Sequence, residues 1–258
     1  MKRLAATRFQ ITRTALAGLA LLSVGAPMVS AQGDGFLLGV PRVTMTFMAG
    51  YVQPRAASGG DAQSLWDLTR EELTVDTRDL GGTSLGGQLG IRVSERFDLT
   101  VAFSYNYSET RSEFRDWVDQ DELPIEQTTR FVTAPVTVGL KAYLLDRGRS
   151  FGRYAFVPRT WNPYLGLAGG LVYYRFQQHG DFVDFETLDI FNDNFLSQAR
   201  APTVHFLGGV DVAVNQRLLL VGEGRYALGT APLDSDFVGF PDLDLAGFQF
   251  NLGLSLRY

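Results

Sequence analysis

The chain holds two histidines and no cysteine in 258 residues, so nucleophilic and metal chemistry have few places to reside. A histidine two residues from a serine on one strand face, with a carboxylate nearby, would pair a base with a nucleophile. His205 is followed at that spacing by Leu207, and His179 stands beside Gly180 and Asp181 in a polar segment. Zinc-ligand and phosphate-loop spacings are also missing, so no catalytic residue and no cofactor is expected. His205 reads instead as a hydrogen-bonded structural histidine. The chemistry that stands out is electrostatic. Lys141, Asp211, Glu223 and Arg225 interrupt otherwise apolar or glycine-rich stretches, as do Arg92, Asp98 and Arg257. If the face they share is enclosed, they must pair, because an isolated buried charge is very costly.

The elements that place them are strands. Over Leu245–Tyr258, Phe248, Phe250, Leu252, Leu254, Leu256 and Tyr258 alternate with Gln249, Asn251, Gly253, Ser255 and Arg257. Strict period-2 alternation is a strand with one apolar and one polar face, and its length suits a tilted membrane crossing of about 9–11 residues. The same pattern predicts strands over 42–52, 83–93, 97–108, 130–144, 163–176, 201–214 and 218–228. Pro135 should disturb its strand locally, since proline lacks a ladder donor. Asp98 then shares a face with Arg92, and Glu223 with Arg225. The turns Val93-Ser-Glu-Arg-Phe97 and Val214-Asn-Gln-Arg-Leu218 are one design written twice. Long polar segments over 53–82, 109–129, 177–200 and 229–244 alternate with these turns and with a basic connection over 145–162.

The N-terminus points to export. Lys2, Arg3, Arg8 and Arg13 precede a short hydrophobic run, Ala15–Val24, and Val29-Ser30-Ala31 has the small residues of a cleavage site. This predicts a secretory signal peptide over 1–31 and a mature domain over 32–258. Removing it takes four of 23 basic residues and none of 28 acids, leaving a net charge of −9. That balance argues against nucleic acid as a partner.

An even number of alternating strands joined by long loops and shorter turns predicts an all-β fold: an eight-stranded antiparallel up-and-down transmembrane β-barrel. Four long loops would be extracellular and three shorter turns periplasmic. In pattern and topology the chain resembles the small bacterial outer-membrane β-barrels, the OmpA-like, OmpX-like and OmpW-like proteins. The resemblance implies residence in the outer membrane of a Gram-negative-type envelope. It also implies contact with outer-membrane lipids and lipopolysaccharide, and a monomeric state. The alternating tail Phe248–Tyr258 resembles the signal read by the barrel-assembly machinery. These families include structural anchors, adhesins and narrow channels, so the resemblance does not choose among roles.

A barrel of eight strands is just wide enough for side chains to fill it. Lys141, Asp211, Glu223, Arg225, Arg92, Asp98 and Arg257 are therefore expected to form a charge network that plugs the lumen, with a structural or surface-interaction role for the protein. The alternative is a narrow porin-like channel for small, even hydrophobic, solutes. A lipid-modifying enzyme and a secreted lipocalin-like binder fit less well. Of the 28 acids, 22 fall in the four long loops, interleaved with aromatics such as Phe182, Phe185, Phe191, Phe195, Phe237 and Phe240. Such loops should pack into an ordered cap, and their carboxylates could hold divalent cations.

Overall fold

The computed structural model describes residues 37–56, 63–151, 155–184 and 187–258; the signal peptide expected over 1–31 lies outside them. Eight strands dominate: β1 Val43–Pro54, β2 Gly82–Arg92, β3 Phe97–Val118, β4 Pro124–Tyr143, β5 Trp161–Val183, β6 Ile190–Ala213, β7 Leu218–Leu228 and β8 Gly247–Arg257. Each pairs antiparallel with its neighbours in sequence, and β8 pairs with β1 to close the sheet into a barrel. At that seam the Tyr258 carbonyl accepts from the backbone N–H of Arg42 (2.7 Å) and of Val43 (3.1 Å).

Parity settles which face points in. Phe47, Leu85, Phe103, Val136, Leu165, Phe206 and Leu252 are exposed on the outside, whereas Thr46, Ser84, Gln88, Thr100, Thr137 and Asn251 are buried inside. A lipocalin-type barrel would have the reverse arrangement. A contiguous apolar girdle of this kind is far beyond what soluble monomers expose. On β5 it runs outward from Trp161 to Tyr173, matching the roughly 25 Å band of membrane barrels.

Four strands are much longer than their apolar alternation suggests. β3 and β4 form one tall hairpin and β5 and β6 another, turning after Val118 and after Val183. The segments 109–129 and 177–200 are therefore mostly strand. Beyond the girdle the polarity inverts. Glu109, Arg130, Arg111 and Glu126 form cross-strand ion pairs outside, while Phe131, Tyr174 and Phe176 turn inward. At Pro135 the β3–β4 ladder lapses between Phe103–Val136 and Asn106–Thr133 without changing register. A missing N–H removes rungs but adds no residue, so no bulge results.

Both ends of the barrel are covered. At the loop end, helix α1 (Leu65–Glu72) is started by Ser64, whose hydroxyl accepts from the Asp67 N–H while the Asp67 carboxylate accepts from the Ser64 N–H. It delivers Trp66 into a core with Leu65, Leu73, Val75, Phe131, Tyr174, Phe176 and Phe237. Segment 73–75 then runs beside β3: the Thr74 N–H donates to the Glu113 carbonyl (2.8 Å), and Leu73 bridges to Phe114. On the other side, the Leu196 N–H donates to Asp236 (3.0 Å), and the Tyr174 hydroxyl donates to the Pro232 carbonyl (2.5 Å). The cap expected from loop phenylalanines is thus organised around Trp66. Phe237 is buried in it and Phe195 packs against it, Phe191 stays exposed, and Phe185 lies outside the described residues. At the turn end, the basic connection over 145–162 carries strands Gly148–Phe151 and Ala155–Pro158, which join Leu37–Leu38 in a three-stranded sheet. Its Phe156 is buried beneath the bore.

Candidate functional site

The alternation of β7 sends Glu223 and Arg225 inward; β4 contributes Lys141 and Tyr143, β5 Tyr164, and β6 His205 and Asp211. Glu223 is 0% exposed and sits at the centre. Its carboxylate receives Lys141 Nζ at 2.9 Å, Arg225 Nε at 2.5 Å and the Tyr164 hydroxyl at 2.7 Å. Lys141 Nζ also lies 4.1 Å from the centre of the Tyr164 ring. The ring can cross the bore because position 209 is glycine. A Cβ there would come within 2.5 Å of the Tyr164 hydroxyl oxygen.

Three donors on one carboxylate are the condition under which a buried ion pair holds together, since each remaining lone pair must be satisfied. One layer below, Asp211 accepts from the Tyr143 hydroxyl at 2.7 Å. Below that, Asp98 is gripped by Arg147 Nη1 at 2.7 and 2.8 Å, and the Arg147 guanidinium stacks 4.4 Å from the Tyr143 ring centre.

The structure therefore groups the seven expected residues into separate layers. Lys141, Glu223 and Arg225 meet. Asp211 meets a tyrosine. Asp98 meets Arg147, a residue of the basic connection that the strand pattern did not single out. Arg92 and Arg257 pair with no acid among the described residues. Arg92 donates to the Ser94 carbonyl and lies over Phe156, and Arg257 donates to the carbonyls of Asn215 and Gln216. Both lie where strands end and turn carbonyls are free to accept, which is cheaper than recruiting a carboxylate into the bore. His205 faces the bore from the upper side of the Glu223 layer, and, contrary to the hydrogen-bonded histidine expected, neither ring nitrogen has a partner among the described residues.

Two small cavities flank the Glu223 layer. The upper one, about 40 Å³, is lined by residues that include His205, Arg225, Asn106 and Gln249; the lower, about 30 Å³, by Asp98, Tyr143, Arg147 and Asp211 among others. They share no lining residue, and Lys141, Tyr164 and Glu223 line neither. At roughly 10–15 Å³ of such volume per water, each has room for two to four waters. Among the described residues no group of three or more His, Cys, Asp or Glu converges as a metal site.

The lower layer makes its own prediction. Replacing Arg147 by alanine leaves Asp98 buried without its partner, at an expected cost of about 1–3 kcal/mol in chemical unfolding. An unchanged unfolding midpoint would mean that water already reaches Asp98.

The chain is similar to several solved small outer-membrane barrels. Neisserial surface protein A shares 13% identity over 87% of this chain and 98% of its own, with a TM-score of 0.43. OprG from Pseudomonas aeruginosa shares 14% over 85% and 98%, with 0.46. Outer membrane protein W from E. coli shares 16% over 85% and 99%, with 0.38. No family profile and no curated protein matches the sequence. The assignment accordingly rests on the chain's own geometry: closed eight-stranded sheet, apolar girdle outside, polar bore inside, and strand hairpins that rise beyond the girdle at one end only. By that geometry the chain has the fold of the small outer-membrane β-barrels.

Proposed function

We propose that the protein is an integral barrel of a bacterial outer membrane with a structural or surface-interaction role and a lumen closed to solutes. Export through the signal over residues 1–31 and insertion by the barrel-assembly machinery, guided by the tail Phe248–Tyr258, belong to the same reading. The long hairpins then stand outside the cell and the Phe156 sheet lies on the periplasmic side. The observation that carries it is the layer at Glu223. Lys141, Arg225 and Tyr164 converge on one fully buried carboxylate and divide the bore into two cavities of water size. A pore would need a continuous wetted path past that layer. Purified protein in planar bilayers is expected to show conductance indistinguishable from the bare membrane. Steady single-channel steps from the wild-type protein would overturn the closed lumen and favour a narrow channel.

A further inference from the structure

Just above the apolar girdle, one side of the barrel carries a feature that a closed structural barrel does not need. On β4, β5 and β6 the first outward residues beyond the apolar run are Arg130, Arg175 and Arg200. The register sets Arg175 opposite Val132 and Arg200 opposite Tyr173. Each arginine is therefore the diagonal neighbour of the next, about 7–8 Å apart at the backbone. The other half of the barrel has Gln53, Thr83, Leu228 and Phe248 at this level. The cations near there are held by acids: Arg55 by Asp244 through two hydrogen bonds of 3.0 and 3.1 Å, and Arg78 by Asp76 at 3.3 Å. Arg130 keeps Glu109 at 2.8 Å and lies over the Tyr107 ring, whereas Arg175 and Arg200 are exposed and have no ion pair among the described residues. Two arginines without an ion pair among the described residues, in a row with a third, mark a local reversal of sign on a chain whose net charge is −5.

Directly above the row the same face is concave. An open depression of about 350 Å³ is lined by Arg130, Gln177, His179, Asn192, Asp193 and Asn194, together with Gly180. Guanidinium groups bind phosphate bidentately; amides and a carboxylate suit sugar hydroxyls. Below the row lie Leu171, Val136, Val204 and Tyr173, an apolar surface for acyl chains. Phosphate, sugar and acyl chain are thus matched at three successive heights.

We propose that this face is a binding site for a phosphorylated glycolipid of the outer leaflet, with Arg130, Arg175 and Arg200 holding its phosphates and the depression at Gln177 and His179 holding its sugars. The inference rests on the membrane reading above and gives it a defined lipid partner and a side. Its test uses the full mature chain refolded in neutral detergent, with diphosphoryl lipid A as the probe. Heat-dependent gel migration without any lipid A reports the barrel fold separately, so failure of the membrane reading and failure of the lipid site are distinguishable. Diphosphoryl lipid A is expected to bind and to raise the melting temperature, while dephosphorylated lipid A and phosphatidylglycerol do so much less. The double variant Arg175→Glu/Arg200→Glu should bind about tenfold more weakly or worse, following the loss of charge-assisted hydrogen bonds. Arg175→Gln/Arg200→Gln should fall between, and Arg78→Glu, on an exposed turn of the cap, should match wild type. Equal binding of all three lipids, no binding by the wild type, or undiminished binding by the charge-reversed variant would each overturn the proposal.

Discussion

Replacing Glu223 by alanine is expected to cost the barrel about 3–5 kcal/mol and to raise its conductance from near zero. The substitution removes the one carboxylate that Lys141, Arg225 and Tyr164 share, leaving two like charges enclosed with no common counterion. Each cation has little exposure through which to recover hydration, at 5% for Lys141 and 4% for Arg225. Water must enter or the layer must rearrange, and either outcome joins the upper and lower cavities. Glu223→Gln keeps the shape and one acceptor, so it should be intermediate. Urea unfolding in lipid vesicles reads the stability, and planar bilayers read the leak. A loss within the ~0–1 kcal/mol of solvated pairs would mean that the wild-type lumen is already wet, and the plug would be abandoned.

Trp66→Ala should be comparably severe but confined to the cap, with a cost of about 3–5 kcal/mol. The indole is fully buried and meets Phe131 and Phe176 in T-shaped contacts, both at 5.3 Å between ring centres. Its N–H donates to the Asp244 carbonyl at 3.1 Å, so the truncation also removes a tie between the first and last loops. The barrel below is held by a separate ladder, and cap and barrel need not melt together. Limited proteolysis should cut within residues 63–81 of the variant while its folded barrel still migrates as wild type on an unboiled gel. If that segment resists protease as well as wild type does, Trp66 is not the keystone of the cap.

The barrel itself was legible because lipid on one side and side chains on the other force a strict period of two from Phe97 to Tyr107 and from Phe248 to Tyr258. The upper halves of β3–β6 were not, and the reason is physical. Above the girdle water replaces lipid, so Glu109, Arg111 and Arg130 take the outward positions and apolar residues turn inward. Alternation persists with its sign reversed and passes for a polar loop. Helix α1 left a fainter trace, Ser64 and Asp67 at capping-box spacing on either side of Trp66. Inward charges could be picked out by parity, as Lys141, Glu223 and Arg225 were. Their partners could not, since Tyr143, Tyr164 and Arg147 are chosen by register and depth across the bore. Arg92 and Arg257 went to turn carbonyls, which carry no signature in the residue types.

The inversion above the girdle has one more consequence. A closed barrel has no free strand, but β2 and β7 stop near the membrane while β3 to β6 continue. Outside, the ring has become an open four-stranded sheet with two edges, along β3 and along β6. Exposed edges present unpaired N–H and C=O groups on which another chain can add a strand. Both are occupied here by the chain itself. Thr74 takes the carbonyl of Glu113 on one edge and Asp236 takes the N–H of Leu196 on the other. The first and last long loops thus act as selvedges, sealing the margins of a sheet that the barrel no longer closes, and they leave the outer face of the hairpins uncovered.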